Sequence, residues 1–565
     1  MRTSLAERLY ISRLIAREAL RRLLHGLACP RRNISRWFAR IPRRLLIAPS
    51  DIRTADPTIA DDIYAGYFSF AGKIINTHGC SPFETPPPSQ AWSDTLEGFG
   101  WLRHLRAADT PLSRANARAL VTDWLDWANR GRANWTQPVA SRRVLSWLSH
   151  SPLILEDADI GFYRRVMKSL GLHAVNLRDE GGVQNSPAER LTAMIAVAAL
   201  GLCSEGLGAL QRRSTASLAA EIAWQILPDG GHISRNPQVI LDLLLDLLPL
   251  RQAYAARGLA APASLLNAID RMLPMLRLFR LGDGSLGLFN GMSVTAQHQL
   301  AAALAHDEAR AAALLDAPYS GYQRMEAQDA ILIMDAGLPP KSAFSCAAHA
   351  GCLAFEFSTG GYRLIVNCGA PAANYSASRP AARLSAAHST LSLGDTSSCK
   401  FAEDGGAMRL IAGQIVSGPR HISVSRTESV DDSIISASHD GYAPAFGLIH
   451  QRTLALSRDG ASLCGCDSLV ATDRSAKPAP CAIRFHLHPA TRLEALPDGD
   501  IIIDLPDGAR WLFRANAPAS LEESIFFANL DRPRSSRQIL IQIQAGDATS
   551  VDWSFDRVGD HAQNE

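Results

Sequence analysis

Residues 352–366 read CLAFEFSTGGYRLIV, and this stretch decides the fold class of the C-terminal half of the 565-residue chain. Leu353, Phe355 and Phe357 alternate with smaller or polar residues, which is the period of a β-strand with one buried face. The Gly360-Gly361 pair turns the chain, and Arg363 to Val366 continues as another strand. The stretch therefore predicts two short strands joined by a tight turn.

The same period of two continues through the rest of the C-terminal half, from about Met325. Turns such as Arg458-Asp459-Gly460 and Pro506-Asp507-Gly508 separate the apolar segments at close intervals. Further strands are predicted at residues 453–457, 462–466, 501–505 and 539–543. Short strands with frequent turns indicate a sandwich or a barrel rather than βαβ units.

The N-terminal half has a different period. From Pro57 to about Ser320, apolar residues recur at spacings of three and four. Examples are residues 117–125, 191–198 and 239–248, each followed by helix-breaking residues. Many apolar helices without alternating strands predict a helix-on-helix core. The sequence thus predicts an α+β multidomain protein with a helical domain first and an antiparallel β-domain second.

Charge is concentrated in one segment. The chain has a formal net charge of +2, but residues 1–50 hold 12 Arg against Glu7 and Glu18. The remaining chain is acidic on balance, which argues against a general nucleic-acid-binding surface. Hydrophobic residues make up 47% and charged residues 20%, a globular composition.

The basic segment predicts an amphipathic helix. The apolar run from Leu9 to Leu27 is interrupted by several Arg residues, so it differs from a typical cleavable signal peptide. Such a helix suits either peripheral contact with an anionic membrane surface or a solvated docking extension. Elsewhere the chain lacks an apolar run of the roughly 20 residues that a membrane-spanning helix requires.

Ten cysteines are spread along the chain without a Cys-x-x-Cys spacing. Cys464-Gly465-Cys466 is a close pair but a weak metal or redox signal. The spacing does not support a disulfide framework, and a cysteine in an apolar run such as Cys203 is typical of a small buried side chain.

Histidines cluster in the C-terminal half. His388 lies in Ala-His-Ser-Thr-Leu at a predicted strand start, His439 lies in His-Asp-Gly-Tyr, and His486 and His488 share one face of a strand. Each alone is typical of a hydrogen-bonded strand residue. Together they suit proton transfer near neutral pH or the binding of a divalent metal.

These motifs carry a resemblance to a known family. AHAGCLAFEF at 348–357, AHSTL around His388, HDGY at 439–442 and RFHLHP at 484–489 resemble the heparinase II/III-like C-terminal domain. Upstream, GFGWL at 98–102 and LPDGGH at 227–232 resemble its usual partner, an incomplete (α/α) toroid. The resemblance implies a toroid followed by a β-sandwich over roughly residues 85–560. We place the basic extension at 1–55, the toroid at 56–325 and the sandwich at 326–565.

The resemblance also implies a reaction, β-elimination on a uronic-acid-containing polysaccharide. That chemistry requires neutralisation of the sugar carboxylate, a base for the C5 proton and an acid for the departing O4. It requires no cofactor, and the expected partner is an acidic polysaccharide in a groove between the two domains. Relatives are mostly located in the cell envelope or periplasm, whereas this N-terminus is also compatible with the cytoplasm.

On the toroid side the family residues are incomplete. Asn185 corresponds to the first member of an Asn-His pair, but Ser186 stands where the His is expected. Asn185 is equally interpreted as a cap of the helix that begins near Pro187. Val239 and Ile240 occupy the positions of a Tyr-His pair, so the usual Tyr base is absent.

On the sandwich side His388 corresponds to a histidine that in relatives is either catalytic or a structural zinc ligand. We assign His388 as the main catalytic residue, Arg383 and Asn185 as carboxylate neutralisers, and Tyr375 or Tyr322 as base or acid. A second set, His388, Asp404 and His439, has the order of a structural zinc site. An alternative function is a non-catalytic or diverged glycan-binding protein of the envelope on the same scaffold.

Overall fold

The computed structural model describes residues 5–37, 39–177, 186–308, 310–472, 477–530, 532–546 and 548–559. Helices dominate the chain as far as Leu304. They are α1 Leu5–Trp37, α2 Thr58–Tyr64, α3 Gln90–Gly98, α4 Leu102–Ala108, α5 Pro111–Asn129, α6 Gln137–Ser149, α7 Ser151–Leu155, α8 Ile160–Leu177, α9 Pro187–Cys203, α10 Gly208–Gln225, α11 Pro237–Ala256, α12 Ala263–Leu278 and α13 Gln297–Leu304. Two short helices lie among the later strands, α14 Arg379–Ala382 and α15 Ala443–Phe446.

One small hairpin interrupts the helices, β1 Tyr67–Phe70 with β2 Lys73–Asn76, which the sequence did not predict. The remaining strands are β3 Asp316–Ala317, β4 Tyr322–Ala327, β5 Ala330–Asp335, β6 Phe355–Thr359, β7 Tyr362–Val366, β8 Leu391–Leu393, β9 Lys400–Phe401, β10 Ile415–Ser417, β11 Ile422–Glu428, β12 Asp432–His439, β13 Leu448–Ser457, β14 Ser462–Ala471, β15 Ala479–Leu487, β16 Arg492–Ala495, β17 Ile501–Asp504, β18 Arg510–Ala515, β19 Ala519–Phe526, β20 Arg534–Ala545 and β21 Ala548–Val558. The first strand of the second half therefore begins at Asp316.

Two large antiparallel sheets form the C-terminal half. One has the order β11-β12-β13-β14-β21-β18-β17-β16, and the other the order β19-β20-β15-β7-β6-β5-β4-β3 with β8 paired to β15. Aromatic side chains from both sheets meet in one core, where Phe355 stacks on Trp553 and Phe357 contacts Trp511 edge-on. The predicted antiparallel sandwich is confirmed.

The quoted stretch forms the hairpin of β6 and β7 in the second sheet. Thr359 pairs with Tyr362, and Gly360 between them has φ of +55°. A residue with a Cβ is disfavoured in that left-handed conformation, which explains the Gly at the turn.

The helical half buries one continuous apolar core. Helix α9 contacts α6, α8, α10 and α11, so it lies inside the bundle. Its start is set by a capping box, in which Ser186 and Glu189 exchange side-chain-to-backbone hydrogen bonds, with Pro187 at the first helical position. Trp92, Trp124 and Trp147 are almost completely buried in the same core.

The basic helix α1 spans the first described residues. Ile11, Leu14 and Ile15 pack against a small apolar cluster formed by Ala402, Ile411 and Val416 in the second half. Tyr10 Oη lies 2.8 Å from Ser342 Oγ, and Arg22 donates to the Leu410 carbonyl. Within the described part of the chain, we find no helix with the length and apolarity of a membrane span.

Candidate functional site at the domain junction

A buried polar network joins the two halves. Arg235, on the loop before α11, forms an ion pair with Asp335 at the end of β5 and donates to the Ser320 carbonyl. Asn290 donates to Asp335 Oδ2 at 3.0 Å and to Tyr322 Oη at 2.7 Å. A buried pair of this kind is stable only when its remaining polar atoms also find partners, which this network provides. The network therefore holds the toroid side against the sandwich.

Tyr322 belongs to this network. It is fully buried, its hydroxyl donates to the Arg235 carbonyl at 2.7 Å, and Arg235 stacks over its ring. Burial raises the pKa of the Tyr322 hydroxyl above its ordinary value, although the charge of Arg235 opposes this. The structure thus places the predicted base or acid Tyr322 in a bonded, structural position.

The same network positions a histidine pair. Asn290 Oδ1 accepts from the backbone N–H of His349 at 3.3 Å, and His349 Nδ1 lies 3.0 Å from His388 Nε2. The two rings are nearly perpendicular, at 83°. His388 Nδ1 lies 2.7 Å from the Leu384 carbonyl. We call His349 and His388 the junction pair.

The hydrogen bonds decide the tautomers of the junction pair. A carbonyl only accepts, so His388 carries its proton on Nδ1 and accepts at Nε2 from the Nδ1–H of His349. His349 Nε2 then keeps a lone pair, and none of the described residues hydrogen-bonds to it. Burial lowers the pKa of His388 to about 4 and that of His349 well below its ordinary value, so both rings are neutral near pH 7.

Gly351 allows this pair to form. A Cβ at residue 351 would lie 2.7 Å from Cδ2 of His388, closer than real Cβ atoms approach. Any larger residue would displace the His388 ring. This requirement explains the Gly between His349 and the strand β6.

Arg383 acts on the loop that carries His349. Its guanidinium donates to the carbonyls of Ala348 and Ser345 and stacks 4.1 Å from the ring centre of Phe401. Burial lowers its pKa to about 10. The predicted carboxylate neutraliser is thus buried and holds the 345–348 loop. Exposed Arg379, one helical turn earlier, is close enough for its charge to lower the pKa of His349.

Tyr375 lies on a short 3-10 helix at residues 373–378 and is half-buried. The neighbouring Asn374 packs against the tip of the β1–β2 hairpin, where a Cβ at Gly72 would lie 3.0 Å from its Nδ2. The unpredicted hairpin of the toroid side therefore reaches the loop of Tyr375. This loop also leads into α14 and the junction pair.

The toroid-side predictions have mixed outcomes. Asn185 lies outside the described residues, and Ser186 rather than Asn185 caps α9. Val239 and Ile240 lie in the first turn of α11 and pack into the toroid core. Two apolar side chains thus occupy the positions at which the family resemblance implies a Tyr-His pair.

The predicted zinc ligands are not brought together. Asp404 is exposed on a loop, and both ring nitrogens of His439 have partners: the Gly441 N–H at Nδ1 and His450 at Nε2. Among the residues that the structure describes, which include all three, no group of three or more His, Cys, Asp or Glu side chains is placed to hold a metal ion. These residues do not fit zinc, because a ligating imidazole needs a free lone pair.

Sequence reasoning gave no role to four residues of the junction. Arg235, Asn290 and Asp335 come from separate parts of the chain without a shared motif. His349 lay inside the stretch that carried the resemblance, but it was given no role. Its proximity to His388 depends on the fold, since 39 residues separate the two.

Comparison with known proteins supports this description. A family model described as heparinase II/III-like, C-terminal, matches residues 309–554. FtsZ-localized protein C of Caulobacter vibrioides (strain NA1000 / CB15N) is 32% identical over 504 residues, covering 85% of this chain and 86% of its own.

Several solved lyases share the fold at low identity. Heparinase III matches with a TM-score of 0.67 at 13% identity, over 84% of this chain and 79% of its own. Heparan sulfate lyase HepC from Pedobacter heparinus matches with a TM-score of 0.61 at 14% identity, over 95% of this chain and 89% of its own. Chondroitin AC lyase of Streptomyces coelicolor A3 matches with a TM-score of 0.51 at 11% identity, over 90% and 79%. The predicted toroid followed by a sandwich is confirmed.

Proposed function

Because the chain belongs to the heparinase II/III-like family, we propose that its domain junction binds an acidic polysaccharide and cleaves it by β-elimination. The observation that carries the proposal is the junction pair. His349 offers a neutral ring with a lone pair at Nε2, and its other nitrogen is held by His388.

In this proposal His349 is the base. Its Nε2 takes the C5 proton, the C5 electrons form the C4–C5 double bond, and the C4–O4 bond breaks. The positive charge of the His349 ring is stabilised by its Nδ1–H bond to His388 Nε2, and His388 is in turn polarised by the Leu384 carbonyl. This assigns to His388 a supporting role, while His349 touches the substrate.

Two further residues complete the proposed site. Arg379 is exposed and near His349, so it suits neutralisation of the sugar carboxylate, whereas Arg383 positions the His349 loop. Neutralising the carboxylate makes the C5 proton more acidic. Tyr375, a half-buried tyrosine, is proposed to protonate the leaving O4 with its hydroxyl.

The test is incubation of the purified chain with a panel of uronic-acid polymers, following the ultraviolet absorbance of the unsaturated product. We expect a signal on at least one polymer, lowered about 10²–10⁴-fold by His349→Ala. The matched control is His421→Ala, because His421 is an exposed histidine of the same domain. A signal that survives His349→Ala unchanged, or its absence on every polymer, would contradict the proposal.

A second candidate function is localisation at an anionic membrane surface, and helix α1 favours it. Leu9, Leu20, Leu23 and Leu24 are each more than half exposed. Leu20 and Leu24 follow Leu9 by 11 and 15 residues, close to three and four helical turns of roughly 3.6 residues, so they share its face. That face lies opposite the docked side of Ile11 and Leu14.

The basic residues of α1 and the name of a relative support the same candidate function. Arg13 and Arg17 are exposed beside this leucine face, and such a pairing of apolar and basic side chains suits the surface of anionic lipids. The relative that is 32% identical is named for localisation to FtsZ. On this candidate the chain is localised at the membrane with FtsZ, and polysaccharide cleavage is not required.

Vesicle sedimentation tests the membrane candidate. We expect the chain to sediment with phosphatidylglycerol vesicles and not with phosphatidylcholine vesicles. Leu20→Asp with Leu23→Asp should abolish sedimentation, because the charges oppose insertion of the leucine face. Leu530→Asp is the control, since Leu530 is 72% exposed on the sandwich. Equal sedimentation of the double variant would contradict the membrane role.

A further inference from the structure

The toroid contains a second polar site, away from the junction. A partly enclosed cavity of about 60 Å³ lies between the segment Pro49–Arg53 and helices α6, α9 and α11. Its volume is several times the roughly 10–15 Å³ that one buried water requires. Its apolar lining includes Leu145, Ile195 and Leu245. The rest of the lining includes charged side chains.

Arginine is in excess in this cavity. The lining residues include Arg53, Arg103 and Arg142 against only Asp51 and Asp246. Arg142 donates to both oxygens of Asp246 at 2.8 and 3.0 Å, and Arg53 donates to the same carboxylate at 2.8 Å. Two guanidinium groups thus share one carboxylate, and the lining carries one more positive than negative group.

Arg103 lines the cavity but forms no ion pair with a carboxylate among the described residues. Its Nη1 donates to the Gly100 carbonyl at 3.0 Å, and its Nε is buried without a hydrogen-bond partner in the described part of the chain. Burial and the charges of Arg53 and Arg142 lower its pKa, opposed by Asp51. An N–H buried in this way is costly unless an acceptor is supplied.

A buried histidine lies beside Asp51, which is one of the two carboxylates of the cavity lining. His150 is 2% exposed, and neither ring nitrogen has hydrogen-bond geometry to a described residue. Its Nε2 lies 3.4 Å from Asp51 Oδ2, and Arg53 Nη1 lies 3.7 Å from Asp51 Oδ1. The described ion pairs of the lining therefore join Asp51 to His150 and Arg53, and Asp246 to Arg53 and Arg142, and none of them includes Arg103.

This cavity is separate from the junction. Helix α11 begins beside the junction at Pro237, and Asp246 lies nine residues further, about 14 Å along the axis at roughly 1.5 Å per residue. Pro249 and Leu250, which also line the cavity, lie further still. A ligand here would not occupy the proposed polysaccharide site.

We propose that this cavity binds a phosphate group, free or as a monoester, with Arg103 as its principal ligand. A guanidinium presents several N–H donors in a plane, which matches the acceptor oxygens of a tetrahedral oxyanion. Arg53 and Arg142, which Asp246 orients, supply further positive charge in the same lining.

The test is isothermal titration of the full chain with inorganic phosphate and, in a separate arm, with glycerol phosphate, at an ionic strength held constant with chloride. We expect saturable binding and a melting temperature that rises with phosphate concentration but not with chloride. Binding of inorganic phosphate alone identifies the free anion as the ligand, and binding of the monoester as well identifies the phosphate group of a larger molecule.

Arg103→Gln should weaken binding at least tenfold, because it removes the charge and the forked donors. Arg164→Gln is the matched control, since Arg164 is an exposed arginine of α8 away from the cavity. If Arg103→Gln fails to fold, the comparison of phosphate with chloride on the wild-type chain still tests whether the cavity binds phosphate. Equal response to phosphate and chloride, or equal affinity of Arg103→Gln and wild type, would overturn the proposal.

Discussion

Two histidine pairs of the C-terminal half have nearly the same internal geometry. His349 Nδ1 lies 3.0 Å from His388 Nε2, and His450 Nδ1 lies 3.3 Å from His439 Nε2. The ring planes cross at 83° and 88°. The first pair lies at the junction, while the second lies within the sandwich between β12 and β13.

Their surroundings differ. In the sandwich pair His439 Nδ1 accepts from the Gly441 N–H, and His450 Nε2 lies 2.7 Å from Asp467. Asp467 also accepts from Arg452 and from the Trp553 Nε1–H, so every ring nitrogen is used. In the junction pair the chain of hydrogen bonds stops at His349 Nε2. The sandwich pair is therefore hydrogen-bonded at both ends, whereas the junction pair has one ring nitrogen without a described partner.

The largest expected effect is the loss of stability when Asp467, the carboxylate bonded to the sandwich pair, is removed. Asp467→Ala should reduce the free energy of unfolding by about 3–5 kcal/mol, because it leaves the buried Arg452 charge without its carboxylate. Urea denaturation measures this change. Asp431→Ala is the control, since Asp431 is exposed between β11 and β12, and its midpoint should stay at the wild-type value. A wild-type midpoint for Asp467→Ala would mean that the sandwich pair is not a structural unit.

The next effect is on the pH dependence of the junction pair. The pKa of His388 is about 4 in the folded chain and ordinarily 6.5, so between these values only the unfolded chain binds the proton. Stability is therefore complete above pH 6.5 and is lost as the pH falls toward 4, by about 3 kcal/mol for this group. His388→Gln should flatten the curve of unfolding free energy against pH in this window. An unaltered slope would contradict the buried neutral ring.

Glu356 should give the opposite dependence of stability on pH. It is fully buried on β6, where its oxygens accept the backbone N–H groups of Leu288 and Asn367. Burial raises its pKa from 4.5 to about 7, so the folded chain binds the proton more tightly between those values. Its proton therefore contributes about 3 kcal/mol to the stability of the folded chain below pH 4.5. This contribution is lost as the pH rises through 7. Glu356→Gln should remove this loss, which denaturation at pH 5 and pH 8 would measure.

The smallest expected effect is the loss of stability when His349 of the junction pair is replaced. His349→Gln should change the free energy of unfolding by about 1 kcal/mol or less, because the amide N–H can still donate to His388. His450→Gln should cost about 1–3 kcal/mol, because it disturbs the bond to buried Asp467. Denaturation of both variants side by side gives the difference. Equal losses would mean that both pairs serve folding alone.

The sequence predicted most of the fold because each element has a local signal. The period of two at residues 353–366 and the turn residues at 458–460 and 506–508 place strands directly. The apolar periods at 117–125 and 239–248 place α5 and α11 in the same way. The β1–β2 hairpin was missed because its strands have only four residues each and lie among strong helical patterns.

The candidate site was less predictable. Arg383 and Tyr322 were chosen as chemical groups because their residue types suit the reaction. In the structure their donors are bonded to the carbonyls of Ala348 and Arg235 respectively, which no pattern in the sequence reveals. His349 had no local signal that separates it from any other buried histidine.

What the sequence by itself determined is therefore the order of the two halves, the period of their elements and the presence of several histidines in the second half. Only the tertiary structure decided which histidines are paired, which end of a pair is open and which arginine lacks a carboxylate. The physical reason is that backbone period and turn chemistry act over a few residues. Hydrogen-bond partners and burial, in contrast, depend on contacts such as His349 with His388 and Arg235 with Asp335, which lie 39 and 100 residues apart.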